Sequence, residues 1–343
     1  MDMKLNNYPR LKNTQAHRLA GKEWIVGGVH YWFNPQDSQK SGHRPWRSGS
    51  EALAYPLLNS NREIVAYFKS FKRPSQQRYE RTQLLAELNL SADAAILTAA
   101  PDRWVDTRPE GRPKTKEIDF DFCGSMMTAV PGQTWNEIKK AICDRKIQMS
   151  REFRLRCIHD LVHGLSILEK KNIVHGDLSP GNVIINSDAG PDEPALYLID
   201  FDAFVYQFLS GKKSLLPQKE GGTFGTDGYC PPELERKDDQ DPTKHPFSDR
   251  FGRDMLIIEL LAFGSATDHE KPPREWNHVK LQKRLQATIK QYETSANVSR
   301  LVERLMADDI FCCSEDARPT SEAIASQLGL DELELDNWIP LPA

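Results

Sequence analysis

The stretch that most restricts how this chain can fold is residues 174–186, VHGDLSPGNVIIN. It sets Asp177, a group able to accept a proton, five residues before Asn182, an uncharged oxygen donor of the kind that suits a hard cation. Val183, Ile184 and Ile185 then form an apolar run with the length of a short buried strand. Gly, Asp, Ser, Pro and Asn are also the ordinary residues of turns. The octet alone therefore admits a surface turn, and the rest of the chain has to decide.

With 343 residues, 39% of them hydrophobic, the chain can bury a large core and should hold one large domain or two lobes. Lys and Arg number 45 against 49 Asp and Glu, a net charge of −4, so no polyanion-binding surface and no nucleic-acid partner are expected. The longest strongly apolar stretch, residues 255–263, is nine residues long and contains Glu259, against the roughly 20 that a membrane span needs. No membrane association is expected, and no signal-peptide pattern opens the sequence. Six cysteines, at 123, 143, 157, 230, 312 and 313, form no C-x-x-C pair. That argues against a zinc site and a disulfide framework, and fits a reducing cytoplasm.

Residues 1–48 scatter Trp24, Trp32 and Trp46 among Gly, Pro, Asn and Ser with no sustained period, and read as an irregular extension packed on the first lobe. The pattern changes at residue 51. EALAYPLL, the turn Asn59-Ser60-Asn61 and EIVAYFKSF predict two strands joined as a hairpin, with Lys69 near the end of the second. Residues 75–88, SQQRYERTQLLAEL, follow Pro74 and predict a helix that buries Tyr79, Leu84, Leu85 and Leu88. The charged, proline-rich residues 101–120 predict a loop between strands. Residues 150–170 space Phe153, Leu155, Ile158, Leu161, Val162, Leu165 and Leu168 as a core helix leading into the 174–186 loop. His159 and His163 on it stand four apart, but no third metal ligand accompanies them, so packing is the simpler reading. ALYLIDFD, residues 195–202, is an apolar strand that ends in Asp200.

Taken in order, these segments resemble the motifs of protein kinases. HGDLSPGN resembles the catalytic loop H-R-D-x-x-x-x-N, and VAYFK, residues 65–69, resembles the strand motif V-A-I-K. Asp200-Phe201-Asp202, 18 residues beyond Asn182, stands where the family has Asp-Phe-Gly. GTDGYCPPE, residues 225–233, resembles G-T-x-x-Y-x-A-P-E, which closes the activation segment. Residues 248–261 resemble the long buried helix of the large lobe, with Asp249 where it braces the catalytic loop. DARP, residues 316–319, resembles the motif whose Arg pairs with the Glu of A-P-E, which implies a buried ion pair of Arg318 with Glu233. The resemblance covers roughly residues 49–326, and the form of the loop looks most like bacterial protein kinases of eukaryotic type.

The resemblance implies a bilobal α+β fold: an extension over 1–48, an antiparallel-sheet N-lobe and hinge over 49–132, and a mainly helical C-lobe over 133–343. It implies ATP and Mg²⁺ as cofactors, a protein carrying the acceptor hydroxyl as substrate, and room for a regulatory protein partner. Asp177 would face the acceptor hydroxyl and Thr226 would pack against it; Asn182 and Asp200 would hold Mg²⁺, and Lys69 the α and β phosphates. Glu80 or Glu87 would pair with Lys69, Glu80 fitting the family register better. Met127 would stand at the back of the adenine pocket, with Thr128, Ala129 and Val130 offering backbone hydrogen bonds to adenine. Only Gly42 and Gly49 precede the hairpin, so G-x-G-x-x-G is absent and the phosphate cover falls to residues 46–50, around Gly49. Ser179 stands where most Ser/Thr kinases carry Lys, Asp202 replaces the third residue of Asp-Phe-Gly, and Gly176 replaces the Arg before the catalytic Asp. These departures keep two alternatives beside a Ser/Thr protein kinase that phosphorylates itself: a catalytically silent ATP-binding scaffold, and a small-molecule kinase.

Overall fold

Apolar residues alternating with a period of two build the first of two units, residues 1–93 and 99–130, around an antiparallel sheet. The computed structural model describes residues 23–26, 28–33, 47–48, 52–71, 82–86, 88, 90, 98–99, 103–106, 123–201, 205–206, 225–226, 228–231, 248–262, 300, 303, 305 and 318–328. The strands of the first sheet are β1 (Glu23–Val26), β2 (Val29–Phe33), β3 (Arg47–Ser48), β4 (Ala52–Leu58) and β5 (Ile64–Phe71). Beyond β6 (Thr98–Ala99), the chain adds β7 (Arg103–Asp106) and β8 (Cys123–Thr128), giving the order β1-β2-β4-β5-β8-β7 with β3 on β4.

The expected hairpin is β4–β5, and its turn is closed by Asn59. The Asn59 carboxamide accepts from the amides of Asn61 (2.9 Å) and Glu63 (3.0 Å), and Arg62 takes the left-handed conformation at φ 65°. Trp24, Val26, Tyr31, Phe33, Tyr55, Leu57, Ala66, Phe68 and Met126 form a core on one sheet face. Trp24 stacks on Phe33 at 5.4 Å and meets Phe68 edge-on at 4.8 Å. Burial alone makes each large aliphatic or phenyl side chain of this core, such as Leu57 or Phe68, worth about 1.5–3 kcal/mol.

Two sequence expectations are corrected in this unit. Residues 1–48, read as irregular, contribute β1 and β2, a hairpin that turns at Gly28 (φ 81°) and supplies Trp24 and Phe33 to the core. Within residues 101–120, read as a loop, Arg103–Asp106 pairs with β8. Of the helix expected over 75–88, residues 82–86 and 88 are described as helical, with Leu85 buried and Leu84 and Leu88 half-buried; Tyr79 lies outside the described residues.

The second unit, residues 94–98 and 131–343, is built on helices. α1 (Trp135–Cys143) starts at a reciprocal cap, in which Thr134 Oγ1 accepts from the Glu137 amide and the Glu137 carboxylate accepts from the Thr134 amide. α2 (Arg151–Lys170), capped by Ser150, buries Phe153, Cys157, Ile158, Leu161, Val162, Leu165 and Leu168. It packs against α3 (Ser248–Ala262), α4 (Ser321–Leu328), and two strands that follow it, β10 (Ile173–Val174) and β12 (Leu196–Ile199). Between these strands lies β11 (Val183–Ile185); the small sheet runs β6-β12-β11-β9, with β9 (Gln133–Thr134) at its edge, while β10 pairs with β13 (Val205–Tyr206). Strand-rich and helix-rich units together make the α+β fold expected. Among the described residues no helix is long and apolar enough to cross a membrane.

Candidate active site

In the second unit the 174–186 loop is held from below by α3. The buried Asp249 carboxylate accepts from the amides of His175 (2.5 Å) and Gly176 (3.0 Å), and burial raises its pKa against the opposing pull of His175 and those two bonds. His175 is itself fully buried and spans the loop. Its Nδ1 accepts from the Asp177 amide at 3.3 Å, which leaves Nε2 to donate to the Ile199 carbonyl at 2.9 Å. Its ring packs on Phe201 at 4.6 Å between centroids, so the loop and the end of β12 are fixed to one another.

Asp177 is the focus of this arrangement. Thr226 Oγ1 donates to its Oδ1 at 2.8 Å, and Asn182 Nδ2 donates to its backbone carbonyl at 2.8 Å and to Oδ2 at 3.2 Å. With Nδ2 committed to two acceptors, the Asn182 amide presents its Oδ1 elsewhere, and that is the atom suited to a cation. The Ile199 amide donates to the Asn182 carbonyl at 2.9 Å, which continues the β11–β12 ladder and sets Asp200 one residue past that bond. Asp200 has φ 66°, a left-handed conformation that a non-glycine residue keeps only where its surroundings impose it. Gly225, at the start of the 225–231 stretch, takes a left-handed conformation (φ 72°) that a residue with a side chain rarely adopts.

In the first unit Lys69 is buried on β5, directly opposite Ser125 of β8. Met127 lies two residues further along β8, on the same face as Ser125 by strand alternation, and is half-buried; Thr128 is exposed, and Ala129 and Val130 are half-buried. The Ala129 amide donates to the Val65 carbonyl at 3.0 Å, so the sheet already uses a donor expected to serve adenine. Gly49, Glu80, Glu87, Asp202 and Glu233 lie outside the described residues. Arg318, the expected partner of Glu233, is 1% exposed and carries its guanidinium over the Phe251 ring at 5.1 Å.

His159 and His163 stack at 5.9 Å, and His159 Nδ1 meets Asp160 Oδ1 at 3.1 Å. Among the described residues no group of three or more His, Cys, Asp or Glu is placed to hold a metal ion. Asp160 has a structural role: its Oδ2 accepts from the amides of Ala195 (2.7 Å) and Leu196 (3.3 Å), bracing the hairpin that ends in Asp200. Sequence reasoning gave it no role. It also missed Glu259, whose carboxylate gathers Trp135, Lys139 and Tyr229. Its signal was a lone acid inside the apolar run 255–263.

Comparison with known proteins follows the same lines. A family model described as protein kinase domain matches residues 122–328, more than half of the chain. Among curated proteins, the serine/threonine-protein kinase/endoribonuclease IRE1 of Hypocrea jecorina (strain QM6a) is 30% identical over 102 residues, 29% of this chain and 8% of that protein. The match thus spans less than a tenth of that relative's length.

Proposed function

We propose that this chain, which belongs to the protein kinase domain family, transfers the terminal phosphoryl group of ATP to serine or threonine hydroxyls of proteins, its own included. The observation that carries this reading is the convergence on Asp177 of Thr226 and Asn182, with Asp200 set beside Asn182 by the β11–β12 ladder. Asn182 Oδ1 and the Asp200 carboxylate are hard oxygen donors and would hold Mg²⁺, which when bound neutralises charge on the phosphates. Asp177, oriented through both carboxylate oxygens, accepts the proton of an incoming hydroxyl. Lys69 binds the α and β phosphates, and Met127 with Thr128 and Val130 lines the adenine side. Gly49 and Glu80 complete the assignment from the family motif.

The serine/threonine preference is supported by the matched relative, a serine/threonine-protein kinase/endoribonuclease, and the bacterial eukaryotic-type branch by the HGDLSPGN loop. A reducing cytoplasm fits the cysteine pattern, six residues with no C-x-x-C pair. The silent-scaffold alternative gains no observation, since Lys69, Asp177, Asn182 and Asp200 are all present. The test is incubation with Mg-ATP and a generic protein substrate, read by intact mass. Asp177→Asn should abolish transfer while binding ATP almost normally; Asp200→Asn should abolish transfer and also weaken Mg-dependent nucleotide binding. Full self-phosphorylation by Asp177→Asn would refute the assignment.

A further inference from the structure

Glu259 sits on the buried length of α3 at 2% exposure, and the reading above gives it no task. Its carboxylate accepts from Trp135 Nε1 (2.9 Å) and the Tyr229 hydroxyl (2.7 Å), and from Lys139 Nζ at both oxygens (2.9 and 3.0 Å). Among these donors only Lys139 carries charge. From α2, Arg154 donates instead to the neighbouring Leu260 carbonyl at 2.8 Å. A carboxylate this deep is held in place by the cation and the hydrogen-bond donors that stand in for its lost hydration.

The network leads to the reacting groups. Burial, and then the charge of Glu259, push the Tyr229 phenol far above its ordinary pKa, so it remains a donor. The amides of Tyr229 and Cys230 both donate to the Thr226 carbonyl, at 2.9 and 3.1 Å, and this tight turn delivers Thr226 Oγ1 to Asp177 at 2.8 Å. From the Lys139 ammonium to Asp177 the chain of hydrogen bonds is interrupted only by that turn.

We propose that Lys139 is a positioning residue for phosphoryl transfer: by bonding both oxygens of Glu259 it fixes that carboxylate against the Tyr229 hydroxyl, and so holds Thr226 against Asp177. The inference rests on the kinase reading above. Without the ammonium, the carboxylate loses the contact that fixes both of its oxygens and can turn off the Tyr229 hydroxyl.

The experiment measures kcat, KM for ATP and the melting temperature of the full chain and four variants. Lys139→Met should lower kcat by about tenfold and change KM for ATP by less than about twofold. Lys139→Arg should keep the wild-type rate. Tyr229→Phe leaves the Lys139–Glu259 pair closed and should fold; it should show the same fall in kcat, and the double variant Lys139→Met/Tyr229→Phe should fall no further, since both act through one path. Tyr229→Phe decides the matter if Lys139→Met does not fold. A purely structural Lys139 would lower the melting temperature with kcat unchanged, and that result overturns the proposal, as does a Tyr229→Phe protein with wild-type kcat. A wild type that transfers no phosphate removes the kinase reading and the proposal together, whereas an active wild type beside an unaltered Lys139→Met removes the proposal alone.

Discussion

Gly252→Ala is the substitution for which two opposing effects can be weighed from the structure. In an unconstrained helix the change stabilises by about 1 kcal/mol, because alanine loses less backbone entropy. At position 252 of α3, however, the new Cβ would stand 2.8 Å from Leu178 Cβ, 3.4 Å from the Leu178 carbonyl and 3.5 Å from the Tyr229 carbonyl. Carbon atoms settle at about 3.5–4.0 Å, so the loop would have to retreat by about 1 Å. The obstacle is a Cβ fixed to the backbone, so no side-chain rotation relieves it. Overpacking of this kind costs about 1–3 kcal/mol, and the net change in stability should be a loss of about 0–2 kcal/mol. The effect on rate should be much larger. Leu178 follows Asp177 directly, and a displacement of about 1 Å in a reacting group costs up to about 10²-fold, near 3 kcal/mol of barrier. Denaturant melts and steady-state kinetics on the same preparation separate the two effects. Gly181→Ala is the control: it lies in the loop itself, yet its Cβ would meet nothing nearer than Asn136 Nδ2 at 3.5 Å, and it should keep near wild-type kcat. A Gly252→Ala protein that is about 1 kcal/mol more stable and fully active would refute the reasoning.

Asp249→Ala should strip the acceptor from the buried His175 amide and the part-buried Gly176 amide. At about 1–3 kcal/mol for each unsatisfied donor, a denaturant melt should show a loss of about 2–6 kcal/mol. Burial pushes the Tyr55 phenol up to about 12 from 10.0. The folded state therefore keeps a proton that the unfolded chain has lost, and the stability this contributes is fully present below pH 10 and lost as pH rises through 12. Relative to Tyr55→Phe, the wild type should lose about 2–3 kcal/mol across that window in a pH series of melts, and parallel curves would rule the linkage out. Gly176 offers no cation to clamp a phosphorylated segment, so replacing Ser210, Ser214 and Thr223 together by Ala should leave transfer within about tenfold of wild type after phosphatase treatment; a larger loss points to a phosphate switch.

What the sequence makes legible is what local spacing encodes. The β4–β5 hairpin shows because seven and eight residues of alternation flank an Asn turn. The core helix α2 shows because twenty residues display its period. By contrast, β1 and β7 are four residues each, too short for a period to emerge from Gly-rich or charged surroundings, and they are strands because neighbouring strands pair with them. The side chains of the candidate site were legible through motif resemblance alone; composition could have placed Asp177 in any turn. Glu259 was visible only as an anomaly. Its partners Trp135, Lys139 and Tyr229 lie 124, 120 and 30 residues away, and no spacing rule links such positions before the chain has folded.

The polarity of the contacts bears on how such a segment can be controlled. Among the described residues of the 225–231 stretch, two hydroxyls donate to the body of the same unit, Thr226 onto Asp177 and Tyr229 onto Glu259. The acceptors are carboxylates in both cases. The position before Asp177, where a cation would turn an added phosphate into an attraction, is Gly176. A phosphate on either hydroxyl would therefore replace a donor by a dianion facing a carboxylate, and at about 4 Å the like charges repel by several kcal/mol at the effective dielectric of a protein surface. Because these contacts are hydroxyls on carboxylates, negative charge added at Thr226 or Tyr229 should act as a release rather than a latch.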